Sequence, residues 1–211
     1  WSYNGIRTTF DNFKWGGDGW MDNALRLRDQ ARATVDYRPL QQPDQHVSNA
    51  FAFVVKYRVT EVVDDDAEVI RCVDADGTGF VITAQEARLT TRGHSTLSMK
   101  MAAGETYEVA FVSHPQSTDG SSDYEKLNTE MVYLYINGIM SGSVQRGTAD
   151  SVYQNAPARI ELGAEGATTD VYLLRAWDTY LSDAQVLDCY MLDQDTADAM
   201  LELYESNRVI D

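Results

Sequence analysis

Residues 132–144 read VYLYINGIMSGSV. Side-chain character alternates as far as Ile136, the pair Asn137-Gly138 interrupts it, and alternation then resumes. Asn-Gly suits the two positive-φ positions of a type I′ turn, so a tight β-hairpin is expected. Its register pairs Ile136 with Ile139 and Tyr135 with Met140. Val132, Leu134, Ile136 and Ile139 then point to one face, which is expected to be core, and Tyr133, Tyr135 and Met140 to the other. On the outer face of a sheet, those two tyrosines and Met140 form a candidate carbohydrate-binding platform. Aromatic rings attract the C–H faces of sugars, and tyrosine hydroxyls bond to sugar hydroxyls. The competing reading is that the tyrosines pack under a neighbouring loop or pair across strands.

Outward from the hairpin, strand signals dominate. ALRLR (24–28) and RATVDYR (32–38) alternate at period two, and AFAFVVKYRVT (50–60) is a long β-branched and aromatic run. EVIRCVD (68–74) and GFVITA (79–84) flank a turn centred on Asp76-Gly77. ARLTT (87–91), STLSMKM (95–101), TYEVAFVSH (106–114), ARIELGA (158–164) and TDVYLLRAWD (169–178) continue the pattern. About a dozen strands at short spacing, with no βαβ rhythm, predict an all-β sandwich or barrel rather than a parallel sheet. Helix signals come only at the end. Ser182 and Gln185 form a capping box, with Ala184, Val186, Leu187 and Tyr190 giving the helix an apolar side. A second helix is expected over about 196–206, with Met200, Leu201 and Tyr204 on one face. The polar stretches 115–130 and 38–49 read as loops.

Composition bounds what such a domain can do. The chain has 211 residues, which suits one large domain or a domain with an appendage, and 44% of them are hydrophobic. A formal charge of −16 argues against nucleic acid or an anionic membrane as partner, because both require Lys and Arg to meet phosphates. No apolar run approaches the roughly 18 residues of a membrane-spanning helix. Cys72 and Cys189 are too few for a disulfide scaffold and are expected to be buried free thiols. The chain begins at Trp1 and is read as a piece of something longer.

Catalytic and metal patterns are weak. DADGTGFVITAQE (74–86) has Asp74, Asp76 and Gly79 where a calcium loop places them, but Thr78 is fifth and Gln85 stands where a bidentate Glu is required. No metal and no cofactor are therefore expected. EVVDDDAE (61–68) crowds Asp64, Asp65, Asp66 and Glu68 together with Glu61 apart, without the Glu-x-Asp-x-x-Glu spacing that sandwich glycosidases use. His46, His94 and His114 are scattered. No catalytic residue is assigned, and a non-enzyme is expected.

Two stretches carry a resemblance. VYLYINGIMSG (132–142), and DVYLLRAWDTYLSDAQVLDCYML (170–192) as a closing strand, loop and small helix, resemble concanavalin A-like, laminin-G-like jelly-roll domains over roughly residues 7–192. The resemblance implies a two-sheet antiparallel jelly-roll sandwich, and says little of function because the fold hosts lectins, hydrolases and spacers. NFKWGGDGWMDNALRLRDQARATVDYRPL (12–40), GTGFVITAQEARL (77–89), YINGIMSG (135–142) and YESNRVID (204–211) are similar to laminin-G-like segments in structural proteins of bacteriophages and prophages of gut bacteria. That likeness implies a tail- or capsid-associated virion component, or otherwise a bacterial extracellular or cell-surface protein.

The expectation is therefore a sandwich over 1–192 with a C-terminal helical tail or linker over 193–211. Its core is expected from Val54, Tyr57, Val69, Phe80, Ile82, Val109, Phe111, Leu134, Ile136, Ile160, Leu162, Tyr172 and Leu174. The expected function is non-enzymatic binding or display on a virion, with surface glycans and other virion proteins as partners. The alternatives are a structural decoration or spacer domain, and the sugar-binding module of a secreted carbohydrate-active enzyme.

Overall fold

A computed structural model describes residues 7–14, 16–36, 50–73, 77–116, 129–147, 159–177 and 179–194. Its strands are β1 (Thr8–Asp11), β2 (Gly19–Met21), β3 (Ala24–Leu27), β4 (Arg32–Val35), β5 (Phe51–Val62), β6 (Glu68–Val73) and β7 (Gly79–Thr83). They continue with β8 (Glu86–Thr91), β9 (His94–Lys100), β10 (Thr106–Gln116), β11 (Thr129–Ile136), β12 (Ile139–Gly147), β13 (Ile160–Leu162) and β14 (Ala167–Trp177). One helix, α1, spans 183–194. The strands form two seven-stranded sheets, ordered β1-β4-β13-β6-β7-β8-β9 and β12-β11-β10-β5-β14-β3-β2. Every pairing within them is antiparallel. The expected all-β sandwich with a short C-terminal helix is what the chain forms. The short edge strands β1 and β2 carried no signal long enough to be read.

The core lies between the sheets. Phe80 is fully buried, with the rings of Phe53 and Phe111 each 4.6 Å from its own. Around it pack Val69, Ile82, Val109, Leu134, Ile160 and Leu162, as expected, with Ile136 and Leu174 at the margin. β5 explains its own composition. Phe51, Phe53, Val55 and Tyr57 face the inter-sheet core, while Ala52 and Val54 join a second cluster with Val186 of α1. A strand covered on both faces reads as a continuous apolar run.

The structure corrects three core assignments. Val54 is buried on the helix side, because it and Tyr57 stand three residues apart and period two sends them to opposite faces. Tyr172 falls at a bulge between Val171 and Leu173 and is only half-buried. That extra residue lets both Val171 and Leu174 face inward. Ile139, placed on the core face, is 69% exposed at the start of the edge strand β12, where there is no further strand beside it.

The capping box forms as read. The Ser182 amide donates to Gln185 Oε1 at 2.9 Å, and the Gln185 amide donates to Ser182 Oγ at 3.3 Å. Of the expected apolar side of α1, Val186 is buried and Tyr190 half-buried, whereas Ala184 and Leu187 are exposed. Asp193, assigned to the tail, belongs to the packed helix, where Arg175 grips its carboxylate at 2.6 and 3.1 Å. The second helix, most of the 115–130 loop and all of the 38–49 loop beyond Arg38 lie outside the described residues, as does Arg38 itself. Both cysteines are free. Cys72 is buried, where desolvation pushes its thiol up, and Cys189 is half-buried.

Candidate functional site

The outer face of the second sheet is laid out in rows by strand register. One row runs Tyr133, Val112, Ala52, Trp177 across β11, β10, β5 and β14, and the next runs Tyr135, Ala110, Val54, Arg175. The small residues in the middle of both rows leave a shallow apolar bed, and α1 and Leu181 lie on it. A third row brings Glu108 beside Lys56, and a fourth lines up Arg58, Asp170 and Arg26.

This layout separates the three residues read as a sugar platform. The hairpin register is as expected: Tyr135 opposes Met140, Ile136 opposes Ile139, and Asn137 and Gly138 take positive φ of 51° and 76°. Tyr135, however, is 2% exposed beneath α1, and its hydroxyl donates to Asp183 Oδ1 at 2.6 Å. Burial, then that bond and the Asp183 charge, push its phenol up. Both faces of its ring are taken, so it is not open for a sugar to stack on; the cover is α1 rather than the neighbouring loop of the competing reading. Its hydroxyl locks the first turn of α1 to the sheet. Tyr135→Phe is expected to lower unfolding free energy by about 1 kcal/mol, readable as a urea midpoint shift. Met140 remains 49% exposed on the edge strand. Gly138 lies against Tyr190 and Leu187, so the turn abuts the helix.

Tyr133 stays partly open, tilted against Tyr135 at 6.4 Å. Near it sequence reading missed a stacked pair: His114 and Tyr180 have ring centroids 4.1 Å apart and planes 26° apart, and Tyr180 is 43% exposed. With half-buried Trp177, these rings border the end of the apolar bed that the first turn of α1 leaves. Tyr133 and Trp177 stand three strand spacings apart, about 14 Å. His114 read as isolated because its partner lies 66 positions later, in the loop after β14.

The fourth row is polar and tightly built. Asp170 is fully buried and accepts from Arg26 Nε at 2.6 Å, Arg26 Nη2 at 2.8 Å and Arg58 Nη2 at 3.1 Å. Burial pushes its carboxyl up, and the two guanidiniums outweigh that and hold it below the usual carboxylate range. The acidic stretch 61–68 is dispersed instead of forming a site. Glu68 pairs with Arg71 and Arg88, Glu61 accepts from Thr168 Oγ1, and Asp64 Oδ1 accepts from the Asp66 amide. Asp74 and Asp76 of the calcium-like loop lie outside the described residues, and among the described residues no group of three or more His, Cys, Asp or Glu could hold a metal ion.

No family model matches the chain, and no curated protein is significantly similar to it. Solved structures do match its fold. The botulinum neurotoxin type G receptor binding domain superposes with a TM-score of 0.54 at 10% identity, over 88% of this chain and 44% of that one. The binding domain of botulinum neurotoxin DC in complex with SialylT gives 0.57 at 11% identity, over 88% and 46%. A structure of botulinum neurotoxin type C, described as entering cells in a manner dependent upon interaction with two ganglioside molecules, gives 0.57 at 10%, again over 88% and 46%. The chain thus spans less than half the length of these structures. At such low identity the likeness is one of fold.

Proposed function

We propose that this domain is a non-catalytic module that adheres to glycans through the aromatic end of the second sheet, and that it is displayed in many copies on a phage virion or on a bacterial surface. The observation that carries the reading is the group formed by Tyr133, Trp177 and the stacked His114–Tyr180 pair, left partly open beside α1. Aromatic surface with hydroxyl and imidazole edges is what a sugar ring requires. The neighbours of like fold that are described with SialylT or ganglioside lend support. The resemblance of several segments to phage structural proteins supports the virion setting. A shallow site gives weak affinity, which many copies on one particle make effective.

The test is a glycan array probed with the domain coupled multivalently to beads, beside Tyr180→Ala and Tyr133→Ala. Specific binding by the parent is expected, and each variant should weaken it about three- to tenfold with an unchanged melting profile. Binding that survives both substitutions would overturn the aromatic assignment. A blank array for the parent would favour a second reading, to which the burial of Tyr135 already points: a spacer or decoration domain whose faces meet only its own assembly.

A further inference from the structure

At the far end of the same outer face, beyond the Arg26–Asp170–Arg58 row, lies a pocket of about 300 Å³ bounded by Gly17, Arg26, Arg28, Thr60, Glu61 and Thr168. Gly16 and Gly17, just before β2, form one wall, and the adjoining Asp18 is firmly held. Asp18, 4% exposed, accepts from the Lys14 amide at 2.7 Å and from the Arg28 amide at 2.8 Å. Gly17 leaves the space its side chain would fill to the Arg28 guanidinium, which lies directly over it. Among the described residues no carboxylate pairs with that guanidinium. Its neighbour Arg26 is committed to Asp170. Glu61 is oriented by Thr168, which uses one of its two carboxylate oxygens at 2.9 Å.

In a chain of net charge −16, the surrounding field repels anions, so holding one requires a local cation with donors to spare. Arg28 supplies a planar fork of N–H donors suited to a carboxylate. Glu61 beside it disfavours a bare anion, and it favours a molecule that also brings hydroxyl donors. Acceptor and cation together select a ligand bearing both groups. We propose that this pocket binds a carboxylated monosaccharide unit, with its carboxylate on Arg28 and a ring hydroxyl donating to Glu61. The site is separate from the aromatic face and goes beyond the reading given to it.

Glucuronate and glucose test this directly, since they differ at one carbon, carboxylate against hydroxymethyl. In ¹⁵N-labelled protein, glucuronate is expected to shift the amides of Gly16, Gly17, Arg28 and Thr168 saturably. Glucose and acetate should each bind about tenfold more weakly or worse, because each lacks one of the two required groups. Arg28→Ala should cost glucuronate about tenfold in affinity. Gly17→Ala should also weaken it, because a methyl there displaces the guanidinium while the charge is kept. Gly17 does not hold a positive φ, so alanine fits its backbone. Absence of a saturable glucuronate shift, equal affinity for glucose, or unchanged affinity in Arg28→Ala would each overturn the proposal. Tyr133→Ala and Tyr180→Ala should leave the glucuronate shifts intact, so this site and the aromatic one fail independently.

Discussion

Asp170→Ala is expected to lower the unfolding free energy by about 3 kcal/mol, the low end for breaking a buried ion pair. The carboxylate side chain is 1% exposed, and it ties Arg26 on β3 and Arg58 on β5 to β14 in one row. Removing it leaves two cations on the strands either side of β14 with no counter-charge between them. The low end applies because their side chains keep 22% and 32% of their exposure, so water can solvate part of each orphaned guanidinium. Asp170→Asn keeps the shape and one acceptor but loses the charge, and about half the effect is expected. Urea unfolding reads both, as a lowered midpoint at constant slope. A loss under 1 kcal/mol for the alanine variant would show that the row is incidental to stability.

The second large effect is a dependence on pH. Glu108 is 3% exposed on β10, facing Asp193 of α1, with Lys56 and Arg175 alongside and Cys189 nearby. Its Oε2 is buried and receives no hydrogen bond from the described residues. Two ionised carboxylates bring only acceptors, and a proton between them supplies the missing donor. Burial first, then the bond to Asp193 and its charge, raise the Glu108 carboxyl from 4.5 to about 7, against the pull of Lys56 and Arg175. Between those two values the folded chain holds a proton that the unfolded chain has released. Stability from this group is therefore complete below pH 4.5, falls as pH rises to about 7, and is level above. The loss is on the order of 3 kcal/mol. Glu108→Gln keeps a donor toward Asp193 and cannot ionise. Its stability is expected to match the parent near pH 4.5, to stay flat across the window, and to exceed the parent at pH 8. Thermal unfolding at pH 4.5, 6 and 8 decides it, and parallel profiles for the two proteins would exclude a shared proton.

The fold was legible because its signals are local. Asn137-Gly138 specifies a turn by backbone conformation alone, and Ser182 with Gln185 specifies a helix start within four residues. The site was not legible, because its members meet by register and packing. Nothing in VYLYI tells that a helix 48 residues later will settle on Tyr135. One clue was available: AFAFVV is apolar at both parities, which demands a cover on each face. Arg26 on β3 and Arg28 just past its end share parity, so their common face could be read, but the partner Asp170 lies 144 positions from Arg26.

The docking of α1 also fixes how load would travel through the domain. The described part of α1 ends at residue 194, one position past the Arg175–Asp193 ion pair. A pull applied at residue 194 would fall first on that pair, then on Val186, and last on the Tyr135–Asp183 bond at the opposite end of the helix. These contacts would be met one after another, as in peeling, whereas the ladder between β14 and β5 spans ten paired positions and shares its load among them. Under such a pull the helix would yield before the sandwich, while the β core stays closed.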